Sequence, residues 1–230
     1  MKNESIQQSK RISKDQIKQV ADKVVQHLAQ QRQLRENQIP KVSLQPEHIE
    51  NCELLLNRHQ LLGKMKKNSI VAEIGVDEGK FSQLIHKKVK PQKFHLIDMW
   101  GSDRFHDGKF EAVKDYFAEE IKEETVRIHK IMSTKAAHEF KEEYFDWIYI
   151  DTDHSYETTR DELQLFAPKV KPGGIMAGHD YRLGNWVSMY RYGVIEAVHE
   201  FCVNYNWELV YLTVEPTESQ SFAIRKIQEE

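Results

Sequence analysis

The chain has 230 residues, with 36 acidic against 33 basic side chains and a formal net charge of -3. That balance carries no electrostatic footprint for nucleic acid, no apolar run reaches membrane-spanning length, and the polar opening Met1-Lys2-Asn3-Glu4 lacks the apolar centre of a signal peptide. The length suits one medium domain with an appendage, and Cys52 and Cys202 make no disulfide framework, so a reducing cytoplasm is the expected compartment.

In chain order, the first ten residues are polar, and Ile17, Val20, Val24, Val25 and Leu28 then recur at helical spacing, which predicts an amphipathic helix in need of a partner surface. A linker with Pro40 follows, and Ser43 and Pro46 announce a second predicted helix carrying Ile49, Cys52, Leu55, Leu56, Leu62 and Met65. Residues 1–66 are thus expected to form a helical extension. It serves as a cover for one sheet edge, a cap over the substrate, or the arm of a homodimer, while 67–230 form the main domain.

The rest of the chain is organised around Ile70 to Gly79. Ile70-Val71-Ala72-Glu73-Ile74 is a short apolar, partly β-branched run, as expected for a strand covered on both faces. Gly75 ends it and Gly79 precedes the helical spacing of Phe81, Leu84 and Ile85, giving strand, glycine turn and helix, the order of a nucleotide cradle at the carboxyl edge of a sheet. A dinucleotide site wants G-x-G-x-x-G, but Asp77 stands where its second glycine belongs, and Glu73 and Glu78 add negative charge unsuited to a pyrophosphate.

Further along, Phe94 to Ile97 predict a second strand ending at Asp98, roughly 20 residues beyond the glycine turn, where an acidic side chain reaches ribose hydroxyls. Met99 and Trp100 follow as apolar surfaces for an adenine ring. Val126, Ile128 and Ile131 predict a third strand, and Ser133 the cap of the next helix. Trp147 to Ile150 predict a buried strand ending in Asp151-Thr152-Asp153-His154, and Ile175 to Ala177 another ending in Gly178-His179-Asp180-Tyr181. Strands alternating with helices imply a mostly parallel α/β sheet. Its ligand edge then gathers Asp151, Asp153, His154, His179 and Asp180, oxygen and imidazole donors that suit a hard or borderline divalent ion. Arg182 to Gly193 reads as a loop beside that edge, Val194 to Cys202 as an amphipathic helix, and Trp207–Thr213 and Ser221–Ile227 as two final strands.

The Glu73-x-Gly75-x-x-x-Gly79 pattern resembles motif I of the class I S-adenosylmethionine-dependent methyltransferases. Ile150 to Tyr156, Lys171-Pro172-Gly173-Gly174 and Gly178 to Tyr181 look like the methyltransferase family 24 group, related to metal-dependent O-methyltransferases of the catechol and macrocin type. The resemblance covers about Ile70 to Ile227. It implies a Rossmann-like sheet with helices on both faces and a C-terminal antiparallel hairpin. It implies S-adenosylmethionine held by Glu73, Gly75, Asp77, Gly79, Asp98, Met99, Trp100, Ser133 and Asp151. It also implies magnesium or manganese on Asp151, His179 and Asp180, with Asp153 able to substitute. In catechol-type relatives the general base is a lysine three residues after the first metal ligand, and His154 stands there, so His154 and Asp151 are the expected catalytic pair. The implied activity is O-methylation of a small hydroxylated molecule, with neither nucleic acid nor membrane as a partner. Alternatives are a cofactor-binding protein without turnover, or a hydroxylase-like relative in which His154, His179 and Asp180 imitate a 2-His-1-carboxylate set.

Overall fold

A computed structural model describes residues 13–216 and 218–228. The chain divides into two units, 1–40 and 41–230. In the first, α1 (Lys14–Gln38) opens on a capping box: Ser13 Oγ accepts from the Gln16 amide at 3.1 Å and Gln16 Oε1 accepts from the Ser13 amide at 2.9 Å. None of its residues is buried, and the apolar Ile17, Val20, Val24, Val25 and Leu28 are exposed.

Residues 41–66, expected as part of the helical extension, lie in the sheet-bearing unit. The second predicted helix is replaced by three short pieces: a 3₁₀ turn at Pro46–His48, β1 (Glu53–Leu55) and α2 (Arg58–Lys64). Its helical spacing is overridden because β1 pairs parallel with β9 (Trp207–Thr213), and because Asn57 caps α2 by accepting from the Gln60 amide at 3.1 Å.

The following elements alternate as expected: β2 (Ile70–Ile74), α3 (Lys80–Val89), β3 (Lys93–Asp98), α4 (Asp107–Tyr116), α5 (Ala118–Lys122), β4 (Val126–Lys130), α6 (Ser133–Ala136), β5 (Phe145–Ile150), α7 (Tyr156–Phe166) and β6 (Val170–Gly178). A two-stranded hairpin of β7 (Gly184–Asn185) and β8 (Tyr190–Arg191) interrupts them before α8 (Val194–Tyr205), β9 and β10 (Phe222–Lys226). The eight-stranded sheet runs β1-β9-β10-β6-β5-β2-β3-β4, and only β10 runs against its neighbours. This is the mostly parallel Rossmann-like sheet with a C-terminal antiparallel hairpin. No helix among the described residues is long and apolar enough to cross a membrane.

All six residues of the central β5 are buried, as a parallel strand covered on both faces demands. Phe145, Trp147 and Tyr149 are among the largest fully buried side chains, each contributing roughly 1.5–3 kcal/mol. Cys202 is core and Cys52 half-buried; both are unpaired thiols. Away from the glycine turn, an imidazole pair bridges β3 and β4: His95 Nδ1 and His129 Nε2 are 3.0 Å apart, with Tyr144 OH 3.1 Å from His95 and Glu139 3.0 Å from His129.

Candidate active site

Parallel strands leave the carboxyl ends of β2, β3, β4 and β5 side by side, and a cleft of about 430 Å³ opens there. Its wall includes Gly75, Asp77, Asp98, Met99, Ser133 and Asp151. Gly75 has φ +89, and a Cβ there would stand 1.9 Å from the Asp151 carbonyl oxygen, so the loop passes β5 with no room for a side chain. Asp98 fixes that loop: its Oδ2 accepts from the amides of Val76 at 2.8 Å and Asp77 at 2.9 Å, and its Oδ1 from that of Trp100 at 3.1 Å.

Three residues expected at the cofactor lie off this wall. Glu73 is fully buried beneath it, and burial raises its carboxyl well above the usual range. Gly79 starts α3 in the left-handed region. Trp100 turns inward at 2% exposure, its Nε1 donating to the Asp77 carbonyl at 2.9 Å and its ring meeting Phe110 at 5.3 Å, so it cannot face an adenine. The apolar wall comes instead from Met99, Phe105 and Met132. Ser133 lines the cleft, but Met132 occupies the cap position of α6. Nor do Glu73, Asp77 and Glu78 form an open acidic patch. Lys109 pairs with both Asp77 and Glu78 (3.5 Å to the latter), and Lys80 with Glu78 at 2.7 Å.

β5 and β6 deliver the second cluster. A ring nitrogen of His179 and one carboxylate oxygen each from Asp151 and Asp180 lie within 4.8 Å of one another. His179 Nδ1 is 3.5 Å from Asp151 Oδ2 and 3.6 Å from Asp180 Oδ2, while His154 Nε2 is 3.0 Å from Asp180 Oδ2 and 3.9 Å from Asp151 Oδ1. Burial alone would lower the pKa of His179, but the Asp151 and Asp180 carboxylates outweigh it and hold it at about 9. For Asp180 burial pulls upward, yet His179 and His154 hold it at about 2. His154 (φ 62) and Asp180 (φ 56) both sit in the left-handed region, at roughly 1–3 kcal/mol of strain each, which aims them into the cluster.

Asp153 is placed otherwise. Its Oδ1 accepts from Ser155 N and Oγ, both at 2.9 Å, and its Oδ2 from Thr158 Oγ1 at 2.9 Å, so its carboxylate braces the start of α7 and is not a ligand held in reserve. Beneath the same turn, Thr152 Oγ1 donates to Glu162 at 2.8 Å, and burial pushes that carboxyl up to about 8 against the pull of Ser133 and Thr152.

Residues 72–181 match the model of methyltransferase family 24, described as a methyltransferase domain. That stretch of the chain is a methyltransferase domain. Compared with the curated proteins, the sequence has no significant match. Among solved structures, the methyltransferase domain is similar to the pyocyanin biosynthetic protein PhzM, at 10% identity over 75% of this chain and 55% of that one, with a TM-score of 0.57. It is similar to a SAM dependent methyltransferase from Aquifex aeolicus, at 14% identity over 74% and 89% of the two chains and a TM-score of 0.54. SMU.1697c from Streptococcus mutans, proposed to be a methyltransferase and solved with S-adenosylhomocysteine, matches at 13% identity over 74% and 96%, with a TM-score of 0.54. These identities speak to the fold, and the chain spans only about half of PhzM.

Sequence reasoning missed Phe105, Met132, Thr152 and Thr158 in the cleft wall. Thr152 and Thr158 flank the Asp-rich turn and were within reach of a strand-end argument. Phe105 comes from the irregular stretch before α4 and carries no periodic signal.

Proposed function

We propose that the protein methylates a hydroxyl oxygen of a small hydroxylated molecule, with S-adenosylmethionine as methyl source and magnesium or manganese at the strand ends. The observation that carries this reading is that Asp151 belongs to both assemblies: it lines the cleft and sits in the carboxylate–imidazole cluster with His179 and Asp180. Bound S-adenosylmethionine would supply a methyl group on a cationic sulfur. A divalent ion on Asp151, His179 and Asp180, whose converging donors fit one, would lower the pKa of a chelated hydroxyl.

The chain's own residues then have separable tasks. Asp98 keeps one lone pair, on Oδ1, for a ribose hydroxyl while its other three fix the glycine loop. Met99, Phe105 and Met132 offer an apolar face to the adenine. His154 takes the acceptor proton, and Asp180, 3.0 Å from its Nε2, stabilises the imidazolium that results, a contribution of about 100- to 10,000-fold in rate. Holding acceptor and donor in line supplies much of the remaining acceleration.

The test is calorimetric titration with S-adenosylhomocysteine, with NAD as control, in magnesium and after chelation. Micromolar binding of the adduct without an NAD response is expected. No binding in either condition refutes the reading.

A further inference from the structure

Strand β9 ends at the ligand edge, and the segment between it and the reversed β10 brings two more carboxylates beside β6. Glu215, Glu218 and His179 each offer one ligand atom, mutually within 4.8 Å. His179 Nδ1 faces Asp151 and Asp180, whereas its Nε2 is buried without a hydrogen-bond partner. Glu215 is 5% exposed, and both of its carboxylate oxygens are buried without a bond of proper geometry, the Arg58 backbone and the Thr213 hydroxyl lying nearby without making one. Glu218 is the exposed member, its Oε2 3.1 Å from the Arg58 guanidinium.

A buried carboxylate with both oxygens unsatisfied and a buried imidazole nitrogen with none of its bonding met each cost free energy. One cation between them would satisfy all three atoms at once. We propose that His179 Nε2, Glu215 and Glu218 form a divalent-cation site on the far side of the His179 ring from Asp151 and Asp180. One imidazole and two carboxylates suit a borderline ion such as manganese or zinc. Asp151 and Asp180, 3.5 and 3.6 Å from the opposite ring nitrogen, hold the imidazole's orientation electrostatically from the other side. The ion would pin the β9–β10 segment to the end of β6. The proposal does not depend on the chemistry of methyl transfer.

The experiment is titration of the chelator-stripped full chain with Mn²⁺, reading the free ion by electron paramagnetic resonance and the thermal midpoint alongside, with Zn²⁺ as a second ion. Wild type should take up Mn²⁺ or Zn²⁺ with a rise in thermal midpoint. Glu215→Gln and the solvent-exposed Glu218→Gln should each weaken that uptake by roughly 10-fold or more. Wild-type affinity in both variants overturns the proposal, as does a wild type that takes up neither ion, which would mean that His179 alone balances Glu215. Asp151→Asn separates the two sites: uptake lost there but kept in both glutamate variants puts the ion on the Asp151 side and also overturns the proposal.

Discussion

The domain holds two pairs of histidines in contrasting surroundings. At the ligand edge, His154 and His179 stand among Asp151 and Asp180, and His179 is held up at about 9. Between β3 and β4, His95 and His129 are packed among Phe140, Tyr144 and Phe145. There burial, helped by His129 and Arg127, drives His95 down to about 3. Burial likewise lowers His129, against the pull of Glu139. The ring is the same, but carboxylates at one edge make it a charge carrier and aromatics at the other make it a neutral hydrogen-bonding brick. An isolated histidine in a sequence says nothing of which it will be.

The widest break in that contrast is expected at Asp151. Asp151→Ala should abolish methyl transfer while leaving S-adenosylhomocysteine affinity within a few-fold, measured as turnover and by calorimetry. Unchanged turnover would remove the charged cluster from the chemistry. Asp98→Ala acts on the cleft instead. It strips three backbone amides of their acceptor and should weaken adduct binding by at least about tenfold, or 1.4 kcal/mol, with some loss of thermal stability. Unaltered affinity would refute the ribose role.

The neutral pair gives a pH test. Because the folded state holds His95 at about 3, the unfolded chain binds more protons between there and the ordinary value near 6.5. Stability is therefore complete above about pH 6.5 and is lost as pH falls toward 3. A tenfold difference in proton affinity is worth about 1.4 kcal/mol, so the loss should reach a few kcal/mol. Urea unfolding across that range should show it, and His95→Phe should flatten the slope; a wild-type slope in the variant would mean that other groups carry it. The smallest effect is expected at the hairpin tip. Trp186 is 83% exposed, so Trp186→Ala should change unfolding free energy by less than about 0.5 kcal/mol, and any change in KM for an acceptor would then report contact with substrate.

Much of this arrangement was legible in the amino-acid order. β2, β3 and β5 announced themselves as apolar runs stopped by Gly75, Asp98 and Asp151, because a strand covered on both faces has little freedom in its composition. The segment 46–65 misled: Leu55, Leu62 and Met65 are buried as a helix reading would have them, but the three residues of β1 are extended because the edge of β9 offers them backbone partners, a tertiary fact with no local trace. Trp100 misled for a related reason, since a backbone with φ 41 swings the indole under the loop it was expected to face over. Glu215 and Glu218 lie in no motif at all and become neighbours of His179 only through the register Phe222 to Gly178.

The reversed β10 has an evolutionary consequence. Its register with β6 and β9 is set by Phe222, Ala223 and Ile224 inside the sheet, whereas residues 214–216 and 218–221 belong to the connection at the ligand edge, with Glu215 and Ser221 buried. Lengthening such a loop costs little, about 0.6 kcal/mol for each doubling. Descendants of this chain can therefore rewrite that segment, and with it what the site admits, while every strand of the sheet inherits its place unchanged.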